Sequence, residues 1–60
     1  MKIRFKEDRE LTGEEDYIKV YKSRVYEVTL INETLKYCDI LFKDGREAIG
    51  ENKELFEKVG

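Results

Sequence analysis

Three stretches of this chain place apolar side chains at every second position: Met1, Ile3 and Phe5; Tyr26, Val28 and Leu30; and Cys38, Ile40 and Phe42. A repeat of two is the period of a half-buried β-strand; a helical stripe recurs about every 3.6 residues. The alternate positions include Lys2, Arg4, Glu27, Thr29 and Asp39, which belong on a solvated face. YIKVY (17–21) and VYEVTLI (25–31) are rich in β-branched and aromatic residues, which suit a pleated, half-buried surface. The chain is therefore expected to be mainly β.

The connections follow from the residues between these runs. Residues 6–16, KEDRELTGEED, are almost entirely polar and read as a long surface loop, with Gly13 in a turn and Leu11 as its one anchor. Lys22, Ser23 and Arg24 form a bend, and Asn32, Glu33 and Thr34 a loop between antiparallel strands. The strand after that loop is read as Leu35 to Lys43. Asp44-Gly45 between two β-like runs predicts a type I′ hairpin with positive φ at both residues, and Arg46 to Ile49 as the return strand. Asn52 is placed to cap a short helical turn before a last strand ending at Val59. The alternative is a β-sheet plus one C-terminal α-helix over residues 47–58, against which Gly50 weighs about 1 kcal/mol relative to Ala. The expected core is Ile3, Phe5, Tyr26, Val28, Leu30, Cys38, Ile40, Phe42, Ile49, Phe56 and Val59.

With 60 residues there is room for one domain, residues 1–60, and one core. Charged residues make up 43% of the chain, a share that alone would suggest disorder. The net charge is only −2, however, and four tyrosines and three phenylalanines supply burial. Cys38 is the only cysteine, so no internal disulfide can staple the fold, which favours a reducing, cytoplasmic setting. No signal peptide and no membrane-spanning run are expected.

MKIRF, KSRVYEV, a strand ending in KDG and a KELFEKV tail follow one another in this order. The arrangement resembles a set of very small SH3-like β-barrel proteins of bacteriophages, prophages and Gram-positive bacteria. In these a GKVYEV-like strand, a DDG-like hairpin and a terminal F-E-x-V recur. Arg24 to Val28, Lys43 to Gly45 and Phe56 to Val59 carry the match. Ser23 stands where the family often has Gly, and Ile49 and Gly50 stand where it has an aromatic residue and Pro. The resemblance implies an SH3-like small barrel of about five short strands with a short C-terminal helical turn, in a phage or prophage setting. It implies no particular activity, because one such fold hosts many functions. With neither Trp nor Pro, the chain lacks the groove of a PxxP-binding SH3 domain.

Groups for catalysis are scarce, and no enzyme activity is expected. There is no histidine, the commonest general base and zinc ligand. Cys38 falls among Ile40 and Phe42 and reads as a small core residue. The glycines are scattered and form no phosphate loop, the acidic residues do not match a calcium loop, and no metal or cofactor is expected.

Two surfaces remain. The first is the acidic segment with its neighbouring tyrosines: Glu7, Asp8, Glu10, Glu14, Glu15, Asp16, Tyr17 and Tyr21. Tyrosine favours interface cores while acidic groups steer association, so the expected partner is a basic protein. The bland reading of the same segment is a connecting, solubilising loop. The second surface is Lys19, Tyr21, Lys22 and Arg24, where cations interleave with aromatic rings as in a nucleic-acid-binding strand. An isoelectric point near 5.1 opposes that reading. The expected function is a small non-catalytic protein-interaction module, in its most concrete form a phage-encoded modulator or inhibitor of a host protein. Nucleic-acid binding through the 17–26 strand and a structural subunit of a larger assembly are the alternatives, with monomer and homodimer both open.

Overall fold

A computed structural model describes all of residues 1–60. The chain is mainly β: β1 (Lys2–Phe5), β2 (Arg9–Thr12), β3 (Tyr17–Val20), β4 (Tyr26–Ile31), β5 (Tyr37–Phe42), β6 (Glu47–Asn52) and β7 (Phe56–Val59), with one 3₁₀ turn at Lys53–Leu55. Five strands form an antiparallel sheet in the order β6-β5-β4-β1-β7, and β2 pairs with β3 in a separate hairpin. No helix is long and apolar enough to cross a membrane.

The alternation read from the sequence sets which face is buried. Ile3 and Phe5 of β1, Val28 of β4, and Cys38, Ile40 and Phe42 of β5 all lie in the core. Opposed residues share a face of a sheet, so Val28 meets Phe42 and Phe5 meets Phe56 across their ladders. Phe5 is the hub of the aromatic packing, edge-on to Tyr26 at 5.6 Å and to Phe56 at 5.8 Å. Tyr26 in turn meets Phe42 at 5.8 Å. Tyr26 and Leu30 pack on this core while remaining half-buried.

Several expectations are corrected. Segment 6–16 is not a plain loop, because Arg9–Thr12 is a strand whose Leu11 is fully buried beside Ile18 and Val20 of β3. The strands therefore number seven, not five, and they lie in two sheets that meet at one seam. The seam consists of a bridge between Gly13 and Ala48 and a hydrogen bond from Glu14 N to Glu47 O at 3.0 Å. The far edges of β3 and β7 have no strand partner, so the sheets do not close into a barrel. The C-terminal α-helix is absent: Asn52 Oδ1 caps the short turn by accepting from Glu54 N at 2.8 Å, and residues 47–52 are extended.

The strand after the 32–34 loop begins at Tyr37, and Leu35 points into solvent. The Asp44-Gly45 turn is not type I′. Gly45 N donates to Phe42 O at 2.9 Å, and only Gly45 has positive φ, +96°. This is a three-residue loop of type I form followed by a glycine bulge. The extra residue shifts the phase of the return strand. Ala48, opposite Ile40, therefore turns inward, and Ile49 is 42% exposed. A second register shift lies between Cys38 and Ile40, where Gly50 has φ +65°. Asp39 braces that bulge: its carboxylate accepts from Gly50 N and from Asn32 Nδ2, each at 2.8 Å. Val59 is half-buried, not core.

Candidate functional site

The β2–β3 hairpin positions most of the residues singled out from the sequence. Leu11 and Ile18 are opposed in its ladder and face the core. The same pleat must then point Glu10, Thr12, Tyr17 and Lys19 to solvent. Tyr17 is 67% exposed, more than any other aromatic residue.

Residues 13–16 turn the chain at the tip. A Cβ on Gly13 would stand 2.0 Å from Asp16 O, so only glycine permits the close approach that shapes this turn. Asp16 Oδ1 accepts from Tyr17 N at 2.7 Å and fixes the start of β3. The seam with β6 brings the tip against the Asp44–Arg46 turn. Between them lies an open groove of about 390 Å³ bordered by Glu14, Glu15, Asp16, Asp44 and Glu47, with Tyr17 and Ile18 as its apolar part. Arg46 is its one cation, and it is engaged by Asp44: Nε donates to Oδ2 at 2.8 Å. The Arg46 backbone amide and then its guanidinium hold the Asp44 carboxyl below its ordinary range.

The expected acidic surface is thus divided. Glu14, Glu15, Asp16 and Tyr17 come together, and Asp44 and Glu47 join them from a distant part of the chain. Asp8, Glu10 and Tyr21 lie instead along the base of the hairpin, with Arg9, Lys19 and Val20, in a shallower depression. Glu7 is placed near Arg9, 3.8 Å from its guanidinium. Nor are the carboxylates surrounded only by polar groups, since Tyr17 and Ile18 line the groove they border.

The residues of the nucleic-acid reading also sit at the base. Arg24 lies over the Tyr21 ring with 5.9 Å to its centroid. Tyr21 N donates to Tyr26 Oη at 2.8 Å, and Lys22 N to Asp8 Oδ1 at 2.9 Å, so the bend is well anchored. Acidic groups interrupt the basic strip: Glu10 is opposite Lys19, and Asp8 holds the Lys22 backbone.

Burial pushes the Cys38 thiol up, and the nearby Glu33, Asp39 and Glu51 carboxylates push the same way against an opposing pull from Lys53. No three acidic or thiol groups converge closely enough to hold a metal ion. The Glu51 carboxyl is lifted above its ordinary value. Burial raises it, opposed by the Thr12 backbone N–H and by Arg9. Comparison with known proteins adds no assignment: no protein-family model, no curated protein and no solved structure matches the chain.

Proposed function

We propose that this chain is a small SH3-like domain that works stoichiometrically, by holding a basic protein segment against the tip of its β2–β3 hairpin. The observation that carries the reading is the convergence of Glu14, Glu15, Asp16, Asp44 and Glu47 around the exposed ring of Tyr17. Carboxylates at a rim attract and orient a cationic segment, while the exposed ring supplies desolvated contact area. Gly13 and the Asp16–Tyr17 hydrogen bond hold the groove in shape before binding, which lowers the ordering cost of association.

The SH3-like reading is supported by the order of elements: a first strand, a long hairpin, three antiparallel strands joined by short connections, a 3₁₀ turn and a last strand beside the first. In this reading the fold is an incompletely closed barrel. The resemblance to phage and prophage proteins gives the specific form, a modulator or inhibitor of a basic host protein in a bacterial cytoplasm, where a lone free thiol is at home.

The test is an affinity capture from bacterial lysate with the intact domain and with a Glu14→Lys, Glu15→Lys, Asp16→Lys variant. The expected result is one saturable basic partner, bound in a fixed ratio and lost with the variant. Recovery that is unchanged by the reversal, or no saturable protein at all, overturns the reading. The Arg24–Tyr21 stack favours a second reading, nucleic-acid binding through Lys19, Tyr21, Lys22 and Arg24. It predicts single-stranded nucleic acid binding that weakens steeply with salt and is abolished by Lys22→Glu with Arg24→Glu.

A further inference from the structure

The outer edge of β3 is open, and the charges along its segment run from one sign to the other. Strand Tyr17–Val20 is hydrogen-bonded to β2 alone. Its alternate main-chain groups therefore point away from β2 with no strand to receive them. Glu14, Glu15 and Asp16 precede the strand; Lys19, Lys22 and Arg24 lie within it and beyond it. A segment with this gradient is mismatched with itself in parallel, and matched with itself in antiparallel.

We propose that two copies of this chain pair antiparallel through their β3 edges, forming a four-stranded β2-β3-β3-β2 sheet about a two-fold axis. The pleat restricts the register, because a paired residue must share the face of its opposite. Placing Ile18 opposite Ile18 of the second copy satisfies this. Tyr17 then meets Lys19 of the second copy, and beyond the strand ends the acidic turn at Glu14–Asp16 of each copy lies towards the basic bend at Lys22 and Arg24 of the other, each contact occurring twice by symmetry. Centring on Lys19 keeps the acidic and basic ends opposed but sets Lys19 against Lys19 at the middle of the strand, which disfavours it. The other edges fit less well. Gly13 already bridges β6 at Ala48, and the exposed Glu57 and Lys58 of β7 carry no charge gradient. Edge pairing rests on the main chain of β3 and draws on the acidic tip and Tyr17 of the proposed site, but it needs no basic partner. The dimer therefore goes beyond the proposed function and stands without it.

The experiment uses the purified chain alone, so its outcome is independent of any captured partner. Mass in solution is measured by sedimentation up to about 1 mM, at low and high salt, for three proteins. These are the unaltered chain, Glu14→Lys with Glu15→Lys, and Lys22→Glu with Arg24→Glu. The unaltered chain is expected to dimerise more strongly at low salt. Each variant alone is expected to dimerise at least about tenfold more weakly, because both symmetric contacts become repulsive. Mixing the two variants restores a dimer, since the mixed pair again opposes unlike charges at both ends. In parallel, amide exchange within Ile18–Val20 slows as the concentration of the unaltered chain rises. A chain that stays monomeric throughout overturns the proposal. So does a dimer that survives in both variants, variants that fail to recover on mixing, or exchange in β3 that does not respond to concentration.

Discussion

The five-stranded sheet and the β2–β3 hairpin bury their inner faces in one core, yet they are held by different means. In the sheet, every strand is tied to a neighbour by a ladder, and edge-on aromatic contacts link Phe5, Tyr26, Phe42 and Phe56 across it. The hairpin touches the sheet's backbone through one bridge and one hydrogen bond at its tip, and through the Leu11, Ile18 and Val20 side chains. Backbone pairing therefore shapes the sheet, whereas side-chain packing and a few hydrogen bonds to side chains, such as Tyr21 N to Tyr26 Oη, seat most of the hairpin. An element seated by one face is free to spend the other on charge and aromatic surface. Most of the residues singled out for binding lie there or at its ends, and Asp44 and Glu47 join them from the sheet.

Four substitutions separate the two halves of this comparison. The largest effect is expected for Phe5→Ala, which removes the hub ring of the sheet. A loss of about 3–5 kcal/mol approaches the whole stability of a domain this small, and denaturant titration should find it largely unfolded. Leu11→Ala tests the hairpin's attachment. It should cost about 2–3 kcal/mol, and amide exchange should quicken in β2 and β3 more than in β4 and β5. Uniform quickening would mean that hairpin and sheet open as one unit. Gly13→Ala forces a shift against Asp16 O and should cost about 1–3 kcal/mol. Its mark is lost protection of the Glu14 amide, which donates across the seam.

The smallest effect concerns Glu51, whose strand runs beside β2. Burial raises its folded value, so the folded chain binds the proton more tightly than the unfolded chain. Ionised Glu51 thus costs stability, fully above the raised folded value and not at all below the unfolded value near 4.5. Glu51→Gln should raise the melting temperature at pH 7, by less than about 1 kcal/mol of stability for a partly desolvated group. The gain should vanish at pH 3. A gain of equal size at both pH values would assign it to packing.

The sheet was legible because its strands carry unbroken alternation. Ile3 and Phe5, or Cys38, Ile40 and Phe42, declare their face without help. Leu11 did not, since a single apolar residue between Glu10 and Thr12 has no period. Ile18 and Val20 alternate too, but between Tyr17, Lys19 and Tyr21, where large rings mask which side is apolar. Ala48 and Ile49 show a different limit. The bulky residue looked like the core one, yet the glycine bulge at Gly45 sets the phase, and the smallest side chain takes the inner position against Gly13. For the candidate site, adjacency grouped Glu7 through Asp16 into one surface, while the strand within them divided it into a tip and a base. Asp44 and Glu47 joined through tertiary contact, for which no local pattern exists. The nearest signal was that two turns, at Gly13 and Gly45, each carried acids.

The position of β1 has a consequence for how the protein is made. The first strand lies between β4 and β7, with Lys2 opposite Val59. β1 can pair with β4 before residues 56–59 are in place, but its other edge stays bare until they are. Phe56, which completes the ring contacts around Phe5, arrives with β7. A folding chain should therefore stay open to chaperones and proteases until residues 56–59 join the sheet, and gain its full resistance in that step.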